Sequence, residues 1–253
     1  QARTRNHHGT QTTTPTGKRV ISPETTARLL TYKASEDSYV PLSQGMLQLL
    51  ATKTLVQLVG PTSSGKSTLM GAVETQFEDF SVVGTGTTRA PREGDHPTRY
   101  HYIEHSDEAL QTLFAKIDNT ELIQYYVTPK PPHYVYWSEL QDYKAANNIG
   151  DYFSSVIDNS SGYGFARALP ISLTREVEPW IDAVNARFPL GNPERLSRLE
   201  EAASSISWSL RADHDNHAWI LVAENNPESN LTQLRNIVNG SPAAPDDAII
   251  AAK

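Results

Sequence analysis

The sequence predicts an α/β fold in which a parallel β-sheet is flanked by helices on both sides. Three observations support this prediction. A short apolar run, Thr54–Val59, ends in a Gly-Pro pair, as a buried strand does. A glycine-rich loop and then an amphipathic helix follow it directly. Further strands alternate with helices along the rest of the chain, and strands connected through helices pair in parallel within one sheet.

The predicted elements follow one another in the order that such a sheet requires. After the loop, residues 67–77 are predicted to form a helix whose apolar face carries Leu69, Met70, Val73 and Phe77. Later strands are predicted at residues 80–83, 152–157, 166–169 and 219–222, and later helices at residues 174–187, 193–210 and 229–238. Residues 85–138 are rich in Tyr, Thr, Pro and Arg, which predicts a small β-containing insertion.

Length and composition indicate one folded domain with loose ends. The chain has 253 residues, of which 38% are hydrophobic, enough for one α/β domain with an insertion. Residues 1–40 are basic, rich in Thr and without apolar periodicity, so we expect a disordered arm there. The Pro- and Ala-rich residues 241–253 predict a loose tail. The domain then spans residues 41–240, with a core made of 54–84 and 139–240.

Composition also narrows the classes of function. The chain contains no cysteine, which excludes disulfides and thiolate metal sites. No apolar run reaches about 18 residues, so we expect no membrane contact and a cytoplasmic location. The net charge is −7, and the basic arm lacks the interleaved aromatic residues that single-strand binders use, so nucleic-acid binding is not favoured. Nothing in the composition indicates an oligomeric state.

The glycine-rich loop has the residues of a nucleotide phosphate-binding loop. Glycines let the backbone curl so that its N–H groups point at a phosphate, and a helix N-terminus lies behind them. A lysine reaches the outer phosphates, and a hydroxyl suits Mg²⁺. The loop therefore predicts binding of ATP with Mg²⁺ through the residues Gly60, Pro61, Thr62, Ser63, Ser64, Gly65, Lys66, Ser67 and Thr68.

A second polar group begins at Thr87 and contains two arginines, Arg89 and Arg92, with a proline between them. Tyr100 follows within Arg99-Tyr100-His101-Tyr102. Two guanidinium groups held by a proline form a fork that suits a second phosphate. A solvated basic loop is the alternative interpretation, because clusters of charge are often only surface.

The two motifs, in this order and spacing, resemble those of the guanylate kinase family. That family has a phosphate loop, then a Thr-Thr-Arg-x-Pro-Arg-x-Gly-Glu segment, then a tyrosine, and here the segment is Thr87-Thr88-Arg89-Ala90-Pro91-Arg92-Glu93-Gly94-Asp95. The resemblance covers about residues 54–239, including a segment at 192–202 in which an Arg-Leu pair opens a helix. It implies a P-loop kinase fold with a helical lid at about residues 180–198 and an insertion at 85–138 that binds a nucleoside monophosphate.

The resemblance also implies an activity: ATP-dependent phosphoryl transfer to a nucleoside monophosphate, GMP in the family, with Mg²⁺ as cofactor. Carried over by position, it assigns the acceptor's phosphate to Arg89, Arg92, Tyr100 and Tyr136. Thr85 falls where the family has a hydroxyl facing the guanine O6. Asp158 falls near the acidic residue that serves both guanine and the Mg²⁺ shell, which makes Asp158 and Ser67 the implied metal-binding residues.

Three positions depart from the family's pattern. Gln124 stands where the family has a Glu that accepts two guanine hydrogens, and an amide has one acceptor oxygen. Trp137 stands where the family has a glycine that lets backbone approach closely. Pro179-Trp180 stand where a lid arginine is expected. The candidates for the catalytic lid arginine, beside the catalytic Lys66, are therefore Arg187, Arg195 and Arg198.

Two other functions stay open on these residues. A related kinase on the same scaffold could act on another nucleotide or on ribose bisphosphate, which Gln124 would permit. Alternatively, guanylate-kinase-like binding modules hold phosphorylated partners in the acceptor site. Such modules resemble the enzyme with a damaged donor loop, and the complete Lys66-Ser67 pair argues against that interpretation.

Overall fold

The computed structural model of the chain describes residues 21–34, 42–92, 95–96, 98–153, 157, 163–211, 217–222 and 226–240. Its strands are β1 (Thr54–Val59), β2 (Phe80–Val82), β3 (Thr85–Thr87), β4 (Tyr100–Tyr102), β5 (Leu122–Val127), β6 (Val135–Glu139), β7 (Asn147–Asp151), β8 (Arg167–Thr174) and β9 (Ala218–Leu221). Its helices are α1 (Pro23–Ala34), α2 (Gln44–Leu50), α3 (Lys66–Gln76), α4 (Asp107–Asp118), α5 (Val177–Arg187), α6 (Arg195–Ser209) and α7 (Pro227–Val238).

The central sheet has the strand order β2-β7-β1-β8-β9, and every neighbouring pair is parallel. β1 therefore lies in the middle, hydrogen-bonded to β7 on one side and to β8 on the other. In an open parallel sheet, ligands bind beyond the carboxyl ends of the strands. The glycine-rich loop begins where β1 ends, so it lies at the middle of this edge.

Helices cover both faces of the central sheet, as the sequence predicts. Val56 and Leu58 of β1 pack in a cluster with apolar residues of α3 and α7. Leu55 and Val59, on the opposite face of the same strand, pack in a second cluster that includes Leu50 of α2 and Trp208 of α6. Since successive side chains of a strand point to opposite faces, the apolar residues of β1 supply both layers.

A second, mixed sheet lies between residues 85 and 139, with the strand order β4-β3-β6-β5. The same part of the chain also forms helix α4, which was not predicted from the sequence. The Ser106 side chain caps α4 by accepting from the Ala109 N–H. Leu110, Leu113, Phe114 and Ile117 are buried on one face of it. That spacing is the ordinary helical signal, and a composition rich in Tyr, Thr and Pro around it concealed the helix.

One predicted strand lies at a different place in the chain. We expected a strand at residues 152–157, but the strand is β7, which ends at Asp151. Asn, Gly and Asp have low strand propensity, so Asn147-Asn148-Ile149-Gly150-Asp151 gives a weak signal. Pairing with β1 on one side and β2 on the other overrides that propensity, and Ile149 is fully buried.

The expectation of a disordered arm is wrong for part of residues 1–40, because Pro23–Ala34 form helix α1. Leu29 and Tyr32 of α1 are buried in a cluster with α4, β5 and β6. The Tyr32 hydroxyl donates to Asp118 over 2.6 Å, and Arg28 donates to the same carboxylate over 2.7 Å. α1 is therefore packed on the insertion. Residues 1–20 and the predicted loose tail, 241–253, lie outside the described residues.

The lid region consists of α5 and α6, joined by residues 188–194, and this agrees with the two helices predicted around that break. Lys130, in the turn between β5 and β6, forms an ion pair with Glu200 of α6 over 2.8 Å. The insertion and the lid thus contact each other in this structure. None of the helices in the described part of the chain is long and apolar enough to cross a membrane.

Candidate functional site

The loop after β1 has the backbone of a phosphate cradle. Gly65 is the N-cap of α3 and has a φ of +98°, a left-handed conformation that disfavours a side chain. At Gly60 a Cβ atom would lie 2.6 Å from the Leu173 carbonyl oxygen, so only glycine lets the loop pass so close to β8. The loop therefore curls tightly onto the first turn of α3, and the N–H groups at a helix start attract anions.

Lys66 lies inside the loop rather than extended into solvent. Its ammonium donates to the carbonyl oxygens of Gly60 at 2.7 Å and Pro61 at 3.2 Å. The same nitrogen lies 3.9 Å from a carboxylate oxygen of Asp151, at the end of β7. Ser67 and Thr68 follow on the exposed side of the first helical turn. The cation, the hydroxyls and the carboxylate are thus gathered at one end of the sheet.

Asp151 is a site residue that the sequence analysis missed, because the strand before it was placed too late in the chain. Asp158, the predicted metal ligand, lies outside the described residues. Desolvation raises the pKa of Asp151, and the charge of Lys66 opposes that rise. The Asp151 side chain is still 42% exposed, so a cation with its water shell can reach it. A carboxylate at a strand end beside a phosphate loop is the hard oxygen ligand that Mg²⁺ prefers.

Two side chains from the segment after β8 hold the outer wall of the loop. The indole N–H of Trp180 donates to the Thr62 carbonyl over 2.8 Å, and Arg175 donates to the Ser63 carbonyl over 2.8 Å. Trp180 stands where an arginine was expected, and here it braces the loop. Ser63 itself has a φ of +62°. These two hydrogen bonds hold the strained part of the loop from outside.

The two arginines of the predicted fork lie in different environments. Arg89 is 4% exposed and uses four of its five N–H donors: two on Asp95, one on the Ala90 carbonyl and one on the Tyr136 hydroxyl. Burial alone would lower the pKa of Arg89, but the hydrogen bonds to Asp95 outweigh it and the pKa is raised. Arg92 is exposed, and its backbone N–H donates to Asp95. Arg89 thus shapes the loop, and Arg92 extends from it.

Asp95 holds this loop together. Burial disfavours its ionisation, but hydrogen bonds from Arg89, Tyr102 and the Arg92 backbone lower the pKa of Asp95 to about 2. The Tyr102 hydroxyl donates over 2.6 Å. The guanidinium carbon of Arg89 also lies 4.8 Å from the centre of the Tyr100 ring. Predicted phosphate ligands Arg89, Tyr100 and Tyr136 are therefore brought together by the structure.

A pocket lies between the insertion and the end of β7. Two predicted base-reading residues, Thr85 and Gln124, line it, and so does Asp151. Most of the other lining side chains are aromatic, which gives the pocket flat apolar walls with a few polar groups. Its lining residues are Val83, Thr85, Gln124, Tyr125, Tyr126, Tyr136, Trp137, Gly150, Asp151, Tyr152 and Phe153.

Trp137 lies flat across the neighbouring strand rather than projecting into solvent. It pairs with Gly86 of β3, and a Cβ atom on Gly86 would lie 2.0 Å from the Trp137 ring. Glycine at position 86 therefore makes the room that the large side chain needs. Trp137 is visible in the sequence as a departure from the family pattern, but Gly86, which compensates for it, is recognisable only from the strand pairing.

The lid arginines are placed differently. Arg195 donates to the Phe188 carbonyl and to Asn185, so its guanidinium holds the turn between α5 and α6. Arg198 donates to Glu194 over 3.0 Å and to Glu201 over 2.8 Å. The hydrogen bond from Arg198 lowers the pKa of Glu194, and the charges of Arg92 and Arg187 act in the same direction. Glu194 is thus paired with Arg198 and lies within the field of the Arg92 and Arg187 charges.

The parallel sheet, the phosphate loop at its carboxyl edge and the paired lid helices define a protein with the P-loop kinase fold. Guanylate kinases are similar to it in sequence. Those of Synechococcus sp. and Synechococcus elongatus are each 33% identical over 82 residues, which is 31% of this chain and 44% of each relative. The chain thus spans less than half of the length of the curated relatives it matches. These matches confirm the resemblance to the guanylate kinase family.

The crystal structure of guanylate kinase from Anaplasma phagocytophilum aligns with a TM-score of 0.45 and 13% identity, over 79% of this chain and 90% of that one. No protein-family model matches the chain.

Proposed function

We propose that this protein is an ATP-dependent nucleoside monophosphate kinase of the guanylate kinase type, with GMP as the favoured acceptor. The position of Asp151 carries the proposal. Its carboxylate lies 3.9 Å from the Lys66 ammonium of the donor loop, and the same residue lines the aromatic pocket. A donor phosphate on the loop and an acceptor in the pocket would therefore meet at Asp151.

The donor half needs little beyond positioning and charge neutralisation. The loop N–H groups and Lys66 would hold the outer phosphates of ATP. Ser67 and Asp151 are oxygen ligands of the kind that Mg²⁺ prefers, partly through water. When bound, Mg²⁺ would neutralise charge on the donor phosphates. Lys66, now hydrogen-bonded to the Gly60 and Pro61 carbonyls, would exchange those partners for phosphate oxygens.

The acceptor half would hold a nucleotide by both ends. Arg92, the remaining N–H of Arg89 and the hydroxyls of Tyr100 and Tyr136 would bind the monophosphate, while Thr85 and Gln124 would face the base. An acceptor phosphate oxygen is already anionic at neutral pH, so it can attack without a general base. Arg195 is engaged by the turn between α5 and α6, so Arg198 is the lid arginine that we assign to the transferring phosphoryl group.

A coupled assay of ADP release tests the proposal. GMP, dGMP, AMP, CMP, UMP and ribose bisphosphate are each supplied with Mg²⁺ and ATP, and we expect turnover with GMP above the others. Lys66→Ala and Asp151→Asn should each lower kcat by about a hundredfold or more, because each removes charge stabilisation in the transition state. Lys144→Ala, at an exposed lysine, is the matched control. Unchanged turnover in Lys66→Ala would overturn the proposal.

A second candidate follows from Gln124, which lines the pocket where a Glu would read guanine. Turnover confined to ribose bisphosphate would assign the chain to a related small-molecule kinase. Tight ATP binding without transfer to any acceptor would indicate a binding module instead.

A further inference from the structure

Two aromatic rings from different parts of the fold meet inside the acceptor pocket. Phe153 follows β7 in the core, whereas Tyr126 belongs to β5 of the insertion. Their rings stack with centroids 4.3 Å apart and planes 22° from parallel. The ring of Tyr136, from β6, meets Phe153 edge-on at 5.7 Å. All three residues line the pocket and are only partly buried.

This stack is the place where the core and the insertion close on each other across the pocket. At 4.3 Å the two rings are in contact, so nothing fits between them as they stand. A planar base needs roughly 3.5 Å of extra separation, which is the thickness of one aromatic ring. Packed parts of a protein can move as units about a few hinge residues, and an opening of this size is a small displacement of that kind.

The surroundings of the stack match a nucleotide and not a sugar phosphate. Thr85 and Gln124 line the same pocket and offer hydroxyl and amide groups to the edge of a base. Arg89 lies in the segment after β3 that would bind the acceptor's phosphate, and it donates to the hydroxyl of Tyr136 over 3.1 Å. The ring pair, the polar edge and the arginines therefore stand at positions suited to a base face, a base edge and a phosphate.

We propose that Tyr126 and Phe153 form a clamp for the acceptor's base, which enters between the two rings and separates them. This inference rests on the proposed function and names its substrate class: a phosphate ester that carries a planar aromatic base. Stacking tolerates any base, because every base has a π-face. The clamp thus supplies affinity, and Gln124 and Thr85 choose between bases.

Binding measured by calorimetry, without ATP, separates the clamp from catalysis. GMP, AMP and ribose 5-phosphate are titrated into the full chain and into Phe153→Leu, Tyr126→Leu and Phe153→Trp. We expect Phe153→Leu and Tyr126→Leu to weaken GMP and AMP by about tenfold or more, as loss of one stacking partner does. Ribose 5-phosphate, which has no base, should bind the wild type and both variants equally. Phe153→Trp keeps an aromatic ring at this position, so it should bind the nucleotides about as tightly as the wild type does.

A matched control is Phe77→Leu, because Phe77 also contacts another aromatic ring, Phe80 at 5.4 Å, outside the pocket. It should leave all three affinities within about twofold. Nucleotide affinity unchanged in Phe153→Leu, or an equal loss for ribose 5-phosphate, would overturn the clamp. Those results would leave the kinase proposal standing if GMP is still phosphorylated. Conversely, base-dependent binding without any transfer would retain the clamp and refute the kinase.

Discussion

Replacing Asp95 by asparagine tests how the loop that carries Arg89 and Arg92 is held. Asp95 accepts from both terminal nitrogens of Arg89, at 2.6 and 2.9 Å, and from the Tyr102 hydroxyl. Asparagine keeps the size of the side chain but removes its charge and one acceptor oxygen. Arg89 would then be a buried cation without its counter-ion, and such a loss is strongly destabilising.

The structure sets the magnitude. The pKa of Asp95 is lowered from 3.8 to about 2 by its hydrogen bonds. Each unit of difference between the pKa values in the folded and unfolded states corresponds to about 1.4 kcal/mol. The ionised carboxylate therefore contributes about 2 kcal/mol to stability at neutral pH. For a domain of this size, that corresponds to a fall in Tm of about 4–8 °C. The Asp95 side chain is only 17% exposed, so solvent screens little of this contribution.

The sign of the pH dependence follows from the lowered pKa. The stabilisation is fully present above the unfolded pKa, and it is lost as the pH falls towards the folded one. Between pH 5 and pH 3, roughly 1 kcal/mol of the difference between wild type and Asp95→Asn should disappear. Urea unfolding followed by circular dichroism at pH 7, 5 and 3 measures it. Asp182→Asn, at an exposed carboxylate on α5, is the control.

A gap between wild type and Asp95→Asn that stays constant from pH 7 to pH 3 would refute the reasoning, because it would show that the charge of Asp95 does not stabilise the fold. The same variant has a second readout. If Arg89 is oriented by Asp95, acceptor affinity should fall even under conditions in which the variant is fully folded. Equal acceptor affinity would show that Arg89 is positioned by Tyr136 and its ring contacts alone.

Three further predictions concern the lid, the base and the N-terminal helix. Arg198→Met should lower kcat by about tenfold or more with little change in KM, because Arg198 would act mainly in the transition state. Arg195→Met should instead lower Tm, because Arg195 holds the turn between α5 and α6. Equal losses of kcat in the two variants, measured in steady-state assays, would contradict this assignment. Gln124→Glu should improve kcat/KM for GMP over AMP by about tenfold, or about 1.4 kcal/mol, since a carboxylate accepts from both guanine donors, and an unchanged ratio would remove Gln124 from the base site. Deleting residues 1–40 removes α1 and its three buried side chains, Thr25, Leu29 and Tyr32, so the free energy of unfolding should fall by about 3 kcal/mol or more in urea titrations. A loss under about 1 kcal/mol would show that α1 contributes little.

Strong local signals explain which parts of the fold could be predicted. β1 is a mostly apolar run before a Gly-Pro pair, and the spacing of Gly60, Gly65 and Lys66 alone identifies a phosphate loop. β7 was misplaced because its residues have low strand propensity, and only pairing with two neighbours makes it a strand. α1 was missed because its apolar residues are sparse, and its stability comes from packing on the insertion.

The sequence by itself determined the parallel α/β fold, the phosphate loop and the resemblance to the guanylate kinases, because each depends on residue types at fixed short spacing. Only the tertiary structure decided that Asp151 stands beside Lys66 and that Phe153 meets Tyr126. Those relations join residues distant in the chain. Their distances follow from how the strands pair and how the insertion and lid pack, and no local pattern of amino acids encodes that packing.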